Sequence, residues 1–241
     1  MLISKFRIGL LANVVAFALA HASWQHSAQA GLTISSVVGG VPTGANYTNF
    51  NNIPLGAGGG VSNGIGVTFS GDGQAVQGAA IGLYAAPFLS NSNGTLFGDA
   101  TVFGADATTY LSSGIGSVTL NLPSPQMYMG LLWGSVDLYN TLQFYSGATL
   151  VGTLTGGNIN AFANGDQGAL GTFYVNINST LTFDRVVASS TQYAFELDNV
   201  ALNPTPVNGL VATPEPASLV LWAVGGLAGF AAARRRKSQM A

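Results

Sequence analysis

The chain has 241 residues, no cysteine, two histidines, and seven Lys and Arg against nine Asp and Glu. Without cysteine there are no disulfides, thiolate nucleophiles or zinc–thiolate sites. Both histidines, His21 and His26, lie before residue 31, so the rest of the chain holds no imidazole for a Ser-His-Asp triad, a general base or a metal site.

In chain order, Lys5 and Arg7 form a positive n-region. Ile8 to Ala20 is apolar apart from Asn13, and Ala28-Gln29-Ala30 is a small-x-small cleavage signal. This order predicts a signal peptide over residues 1–30, cut between Ala30 and Gly31. A permanent N-terminal anchor is the competing reading; the apolar run is short for one.

The folded part then runs from Gly31. Its acids up to Ala212 are Asp72, Asp99, Asp106, Asp137, Asp166, Asp184, Glu196 and Asp198, and its one cation is Arg185. One positive minus eight negative charges gives −7. An anionic body with a single cation lacks the Lys and Arg needed to neutralise phosphates, so no nucleic-acid partner is expected. Carboxylates remain for chemistry, which leaves glycosidase-type acids or calcium ligands.

Short runs with period-two alternation, bounded by Gly and Asn, predict strands at Leu32–Val38, Gly66–Ser70, Ala75–Tyr84, Ala100–Phe103, Ser117–Leu122 and Gln126–Gly134. Further strands are predicted at Thr141–Tyr145, Thr149–Thr155, Gly171–Ile177, Leu181–Ala188 and Tyr193–Leu202. Ser146-Gly147 reads as a tight connection. Asn46 to Gly60 and Gly156 to Gly168 read as loops. The fold class is all-β: an antiparallel β-sandwich over residues 31–203, jelly-roll-like in topology. No fixed-period repeat supports a solenoid, and the threonines show no regular spacing of the kind a flat ice-binding face requires.

Two segments are candidates for function. In the run from Gln126 to Tyr145, Met127, Met129, Leu131 and Trp133 share one face of a strand, and Tyr128, Gly130 and Leu132 share the other. Both faces are apolar, which predicts a central strand buried on two sides. The polar corner after it offers Asp137, Tyr139 and Asn140 to sugar hydroxyls or a cation; alternatively it is a turn whose Asp and Asn bond their own backbone. From Leu181 to Leu202, Tyr193, Phe195 and Leu197 are expected to alternate inward, with Glu196 and Asp198 side by side on the other face. Those two carboxylates suit Ca²⁺ or a glycosidase pair. The competing reading is a solvated strand face, with Arg185 pairing Asp184 or Glu196. The pattern fixes no cofactor, and Ca²⁺ is the one it suits. Asn46-Tyr47-Thr48, Asn93-Gly94-Thr95 and Asn178-Ser179-Thr180 fit the N-glycosylation pattern, which arises by chance in so Asn- and Thr-rich a chain.

Pro204 and Pro206 mark a stiff spacer over residues 204–213. Pro214-Glu215-Pro216 follows, then an uncharged, proline-free run from Ala217 to Ala233, then Arg234-Arg235-Arg236-Lys237. A helix over 217–233 would span about 25 Å, at the short end of what crosses a bilayer. The cations behind it predict a cytoplasmic end, residues 238–241 included, with everything upstream outside.

Residues 214–237 resemble the PEP-CTERM sorting tail of exosortase-carrying bacteria: the tripeptide, one apolar span containing Gly225-Gly226 and Gly229, and a terminal arginine run. Thr213 and Ala217 stand where members commonly have Val and Ser. This tail is also labelled an ice-binding protein C-terminal domain, but a tail is an address and says nothing of the domain it carries. The Trp-Gly-Ser, Asp, Tyr-Asn and Phe-Tyr block between Trp133 and Tyr145 is similar to one in many exosortase-dependent surface proteins. These resemblances imply export by the Sec machinery, transient anchoring in the membrane by the C-terminal helix, and recognition by exosortase at Pro214, Glu215 and Pro216 with Arg234, Arg235 and Arg236 behind. They also imply delivery to the surface or matrix of a Gram-negative-type bacterium. The expected role is structural or adhesive and non-enzymatic, in contact with exopolysaccharide. The alternatives are a calcium-assisted carbohydrate-binding module and a carboxylate-based glycan-cleaving enzyme.

Overall fold

Alternating apolar residues need a partner surface, and here two unusually long strands supply it. The computed structural model describes residues 31–91 and 93–207. The signal peptide, the sorting tail and most of the spacer lie outside those residues. The strands are β1 (Leu32–Val38), β2 (Asn46–Thr48), β3 (Gly60–Ser62), β4 (Ile65–Val76), β5 (Phe88–Leu89), β6 (Gly104–Ala105), β7 (Tyr110–Gly134), β8 (Asn140–Ser146), β9 (Thr149–Thr155), β10 (Phe173–Ser190) and β11 (Phe195–Asn203). A single helical turn, α1 (Gly156–Ile159), follows β9. All strands but β5 and β6 belong to one nine-stranded sheet.

The sheet folds over on itself because β7 and β10 each serve two layers. Leu120 of β7 lies opposite Val186 of β10, and Leu131 opposite Val175. Between these pairings β7 passes through Pro123 and Pro125, whose missing N–H groups interrupt the ladder and let the strand turn. One half of the pair extends the sheet to β4 on one side and to β8 and β9 on the other. The other half pairs with β1. Strand β11 ties the ends together, with Leu197 opposite both Leu111 and Trp133 of β7.

Met129, Leu131, Trp133, Val175 and Ile177 face Val67, Val118, Leu120 and Val186 in the main core. Trp133 stacks on Phe195 at 4.2 Å and 13°. The opposite face of the β7 end is buried too: Tyr128, Leu132 and Tyr174 pack with Leu89 and Phe97. The central strand buried on two sides is therefore present as its sequence predicts. Its outer cover is residues 77–109, an excursion between β4 and β7 that carries the small β5–β6 sheet.

The antiparallel, sandwich-like all-β expectation holds. Five local expectations are corrected. The strands predicted at Ser117–Leu122 and Gln126–Gly134 are one strand, as are those at Gly171–Ile177 and Leu181–Ala188. The strand predicted at Ala75–Tyr84 stops at Val76, where the excursion begins. Ala100–Phe103 is not a strand. Asn46 to Gly60, read as a loop, includes β2, which pairs with β11. The tight β8–β9 connection is as expected; Gly147 takes φ +57°, a conformation glycine adopts without strain.

Candidate functional site

The corner after β7 and the start of β11 enclose a polar cleft of about 170 Å³. Ser135, Asp137 and Tyr139 come from the corner, Tyr193 and Glu196 from the β11 end, and Tyr84 from the excursion. The corner is held by a loop from the α1–β10 connection: Gly165 N–H donates to Val136 O at 3.1 Å, and Val136 N–H to Gly171 O at 3.0 Å. Gly165 has φ +68°, and a Cβ there would sit 2.7 Å from an Asp137 oxygen, so only glycine lets this loop close on the carboxyl.

Glu196 lies at the cleft floor, 1% exposed. Its Oε1 accepts from Ala85 N–H at 2.9 Å, and its Oε2 accepts from the Ser135 hydroxyl. Burial pushes its carboxyl up to about 7, against the lowering effect of these donors. Asp137 is also raised by burial, and the Tyr139 hydroxyl, which donates to its Oδ2 at 2.5 Å, opposes the shift. Tyr139 reaches across to Tyr193 O at 2.9 Å as well. Tyr193 stands 40% exposed at the rim, its hydroxyl donating to Asp72 at 2.6 Å. The cleft thus offers carboxylate and amide acceptors, tyrosine faces, and no positive charge.

Asn140, grouped with Asp137 by sequence, is not part of the cleft. It is fully buried, its Oδ1 accepts from Asp137 N–H at 3.0 Å, and its Nδ2 donates to Ser190 Oγ and Ala194 O. The turn reading describes Asn140, whereas Asp137 turns its carboxyl into the cleft. Glu196 and Asp198 do lie opposite Phe195 and Leu197, but the solvated face expected for them is corrected: the 77–109 excursion covers both. Tyr193, expected inward, points out, because β11 starts only at Phe195. Arg185 pairs with neither acid considered for it; it lies over the Tyr145 ring at 4.4 Å and donates to Gly147 O at 3.1 Å.

Two residues from the excursion, Asp99 and Asp106, gather around Asp198. Sequence reading named both as acids and assigned them nothing, since a separation of about a hundred positions carries no local signal. Ser135 was legible only as part of a polar corner. Gly31 opens the described part, at φ +97° just before β1. Ala28, Ala30, Pro214, Glu215, Pro216, Arg234, Arg235 and Arg236 lie outside the described residues. Among the described residues no helix is long and apolar enough to cross a membrane.

Residues 212–237 match the PEP-CTERM protein-sorting motif. The chain therefore carries an exosortase sorting tag, which implies export, processing by exosortase and sorting to the bacterial cell surface. No curated protein and no solved structure matches the chain.

Proposed function

We propose that the sorted domain is a non-enzymatic surface module that contacts extracellular polysaccharide through the cleft between Tyr139 and Tyr193. Export runs through the Sec machinery, the C-terminal helix over 217–233 holds the chain in the membrane until exosortase acts near Pro214-Glu215-Pro216, and the domain passes to the matrix. The observation that carries the binding role is the cleft's composition. A floor of Glu196, Ser135 and Asp137 beneath Tyr84, Tyr139 and Tyr193 offers acceptors to sugar hydroxyls and ring faces to sugar C–H groups. At about 170 Å³ it is smaller than a drug-sized site and suits a single sugar residue or a chain end.

Calorimetric titration of the exported protein with neutral exopolysaccharide tests the reading. Binding lost in both Tyr193→Ala and Tyr139→Phe supports it; undiminished binding in both variants refutes it.

One observation favours a second reading, glycan cleavage. A carboxyl raised to about 7 beside a second carboxyl is the pairing that acid–base glycoside hydrolysis uses. Against it, both Glu196 oxygens already accept, from Ala85 and Ser135, and the side chain is only 1% exposed at the cleft floor. Shortening of a polysaccharide by the purified protein, abolished in Glu196→Gln, would replace the binding reading with this one.

A further inference from the structure

Behind the cleft, on the same face of β11, the excursion and the sheet meet at three carboxylates. One oxygen each from Asp99, Asp106 and Asp198 lies within 4.8 Å of the others, and all three residues are buried, at 4%, 2% and 0% exposure. Such proximity of like charges is costly unless something positive stands between them. Among the described residues the sole cation is Arg185, and it is engaged at Tyr145 and Gly147.

The hydrogen bonds around the cluster are unevenly shared. Asp99 Oδ2 accepts from Asn199 Nδ2 at 2.8 Å; its Oδ1 lies 3.3 Å from Thr108 Oγ1, whose one proton goes to the closer Asp106. Asp106 Oδ1 takes the N–H and hydroxyl of Thr108, at 2.7 and 2.6 Å. Asp106 Oδ2, both oxygens of Asp198, and Asn199 Oδ1 have no hydrogen-bond partner. Asn199 is itself fully buried and its amide reaches the cluster through Asp99, so a neutral carbonyl oxygen is orphaned there alongside the acids. A proton shared between Asp106 and Asp198 would satisfy one oxygen of each. It would still leave the second oxygen of Asp198 and the Asn199 carbonyl unpaired. A single cation between the three acids would serve unpaired carboxylate oxygens of Asp106 and Asp198 together, with the unpaired Asn199 carbonyl as a further donor.

We propose that Asp99, Asp106, Asp198 and Asn199 form a binding site for a hard divalent cation, Ca²⁺, which fastens the 77–109 excursion to β11. The donor set is entirely oxygen, three carboxylates and one amide carbonyl, which matches calcium and offers nothing to the softer metals that prefer nitrogen or sulfur. A buried, anionic donor set also favours Ca²⁺ over Mg²⁺, which retains its waters and requires room for them. The site is distinct from the cleft: Glu196, two residues away on the same strand, is occupied by Ala85 and Ser135 and takes no part. The inference does not depend on the polysaccharide reading.

The test is calorimetric titration of the full chain, purified in detergent and stripped with EGTA, against CaCl₂ and separately against MgCl₂. The expected result is one Ca²⁺ per chain with weaker or no Mg²⁺ binding. At a hundredfold excess over Kd the unfolding midpoint should rise by about 5–10 °C. Asp198→Asn and Asp106→Asn should abolish both effects, whereas Asp184→Asn, on β10 beside the β8–β9 turn, should keep them. If the two cluster variants fail to fold, limited proteolysis of the unmodified protein decides. Calcium-dependent protection within residues 77–109 supports the site, and equal cleavage with and without calcium overturns it. Absence of Ca²⁺ binding at millimolar concentration, tighter binding of Mg²⁺ than Ca²⁺, or Ca²⁺ binding unchanged in Asp198→Asn would each overturn it.

Discussion

Glu196 and Asp198 are neighbours on one face of one strand, are covered by one excursion, and are both buried, yet they have opposite surroundings. Glu196 has a donor for each oxygen, Ala85 N–H and the Ser135 hydroxyl. Asp198 has no hydrogen bond of normal geometry on either oxygen, only the nearby Asn199 backbone N–H, and two further acids beside it. Burial raises both carboxyls, but only at Glu196 do side-chain and backbone donors together oppose the shift; at Asp198 the Asp106 carboxyl adds to it, and the Asn199 backbone alone works the other way. A buried acid can be stabilised by fixed dipoles or by a bound positive charge; Glu196 has the first, and the second is the one proposed for Asp198.

The largest effect removes the floor common to both. Trp133 is fully buried and stacks on Phe195, the residue before Glu196 on β11, within the main core. Trp133→Ala should cost about 3–5 kcal/mol in urea unfolding and weaken the cleft and the carboxylate cluster together. If only one of them suffered, the idea of a shared support would fail.

The next prediction isolates Glu196 by pH. Its folded-state carboxyl sits at about 7 against an ordinary value of 4.5, so the folded state holds the proton more tightly. The contribution to stability is full below about pH 4.5 and is lost as pH rises toward 7, a change of about 3 kcal/mol. Unfolding midpoints of the EGTA-treated protein between pH 4.5 and 8 should show this fall, and Glu196→Gln, a permanent mimic of the protonated form, should reduce it, leaving the part due to the other buried acids. An equal slope in both proteins would place the titration elsewhere.

Smaller effects sharpen the contrast between the acids. Ser135→Ala takes away a donor to Glu196 and should cost about 1–3 kcal/mol at pH 8, and less at pH 4.5 where the acid is neutral. Asp198→Asn in EGTA should cost less than Ser135→Ala, because no hydrogen bond to the acid is lost; chemical unfolding of the two variants in parallel compares them directly. Tyr193→Ala should change stability by less than about 0.5 kcal/mol, since the ring is at the rim, while removing polysaccharide binding.

Much of the architecture was legible from local pattern. Leu32–Val38 is a strand over the predicted bounds, and the two apolar faces of Met127 to Trp133 line two separate cores. The candidate site was legible in part. Asp137, Tyr139 and Glu196 share the cleft, but the sequence paired Glu196 with Asp198 and joined Asn140 to Asp137, because spacing reports which face a side chain takes and not what covers that face. No local pattern announced that Glu196 would be buried and its carboxyl raised.

The sequence by itself determined what depends on neighbouring residues: strand alternation, the anionic body with one cation, and the sorting tag at 212–237. Covalent geometry sets the two-residue period, so these features are written into each short stretch. Only the tertiary structure decided that the 77–109 excursion lies over β11, sealing Glu196 and bringing Asp99 and Asp106 to Asp198. That meeting results from packing an apolar cover of Leu89 and Phe97 onto Tyr128, Leu132 and Tyr174, a free-energy gain distributed over the whole interface and recorded in no single segment.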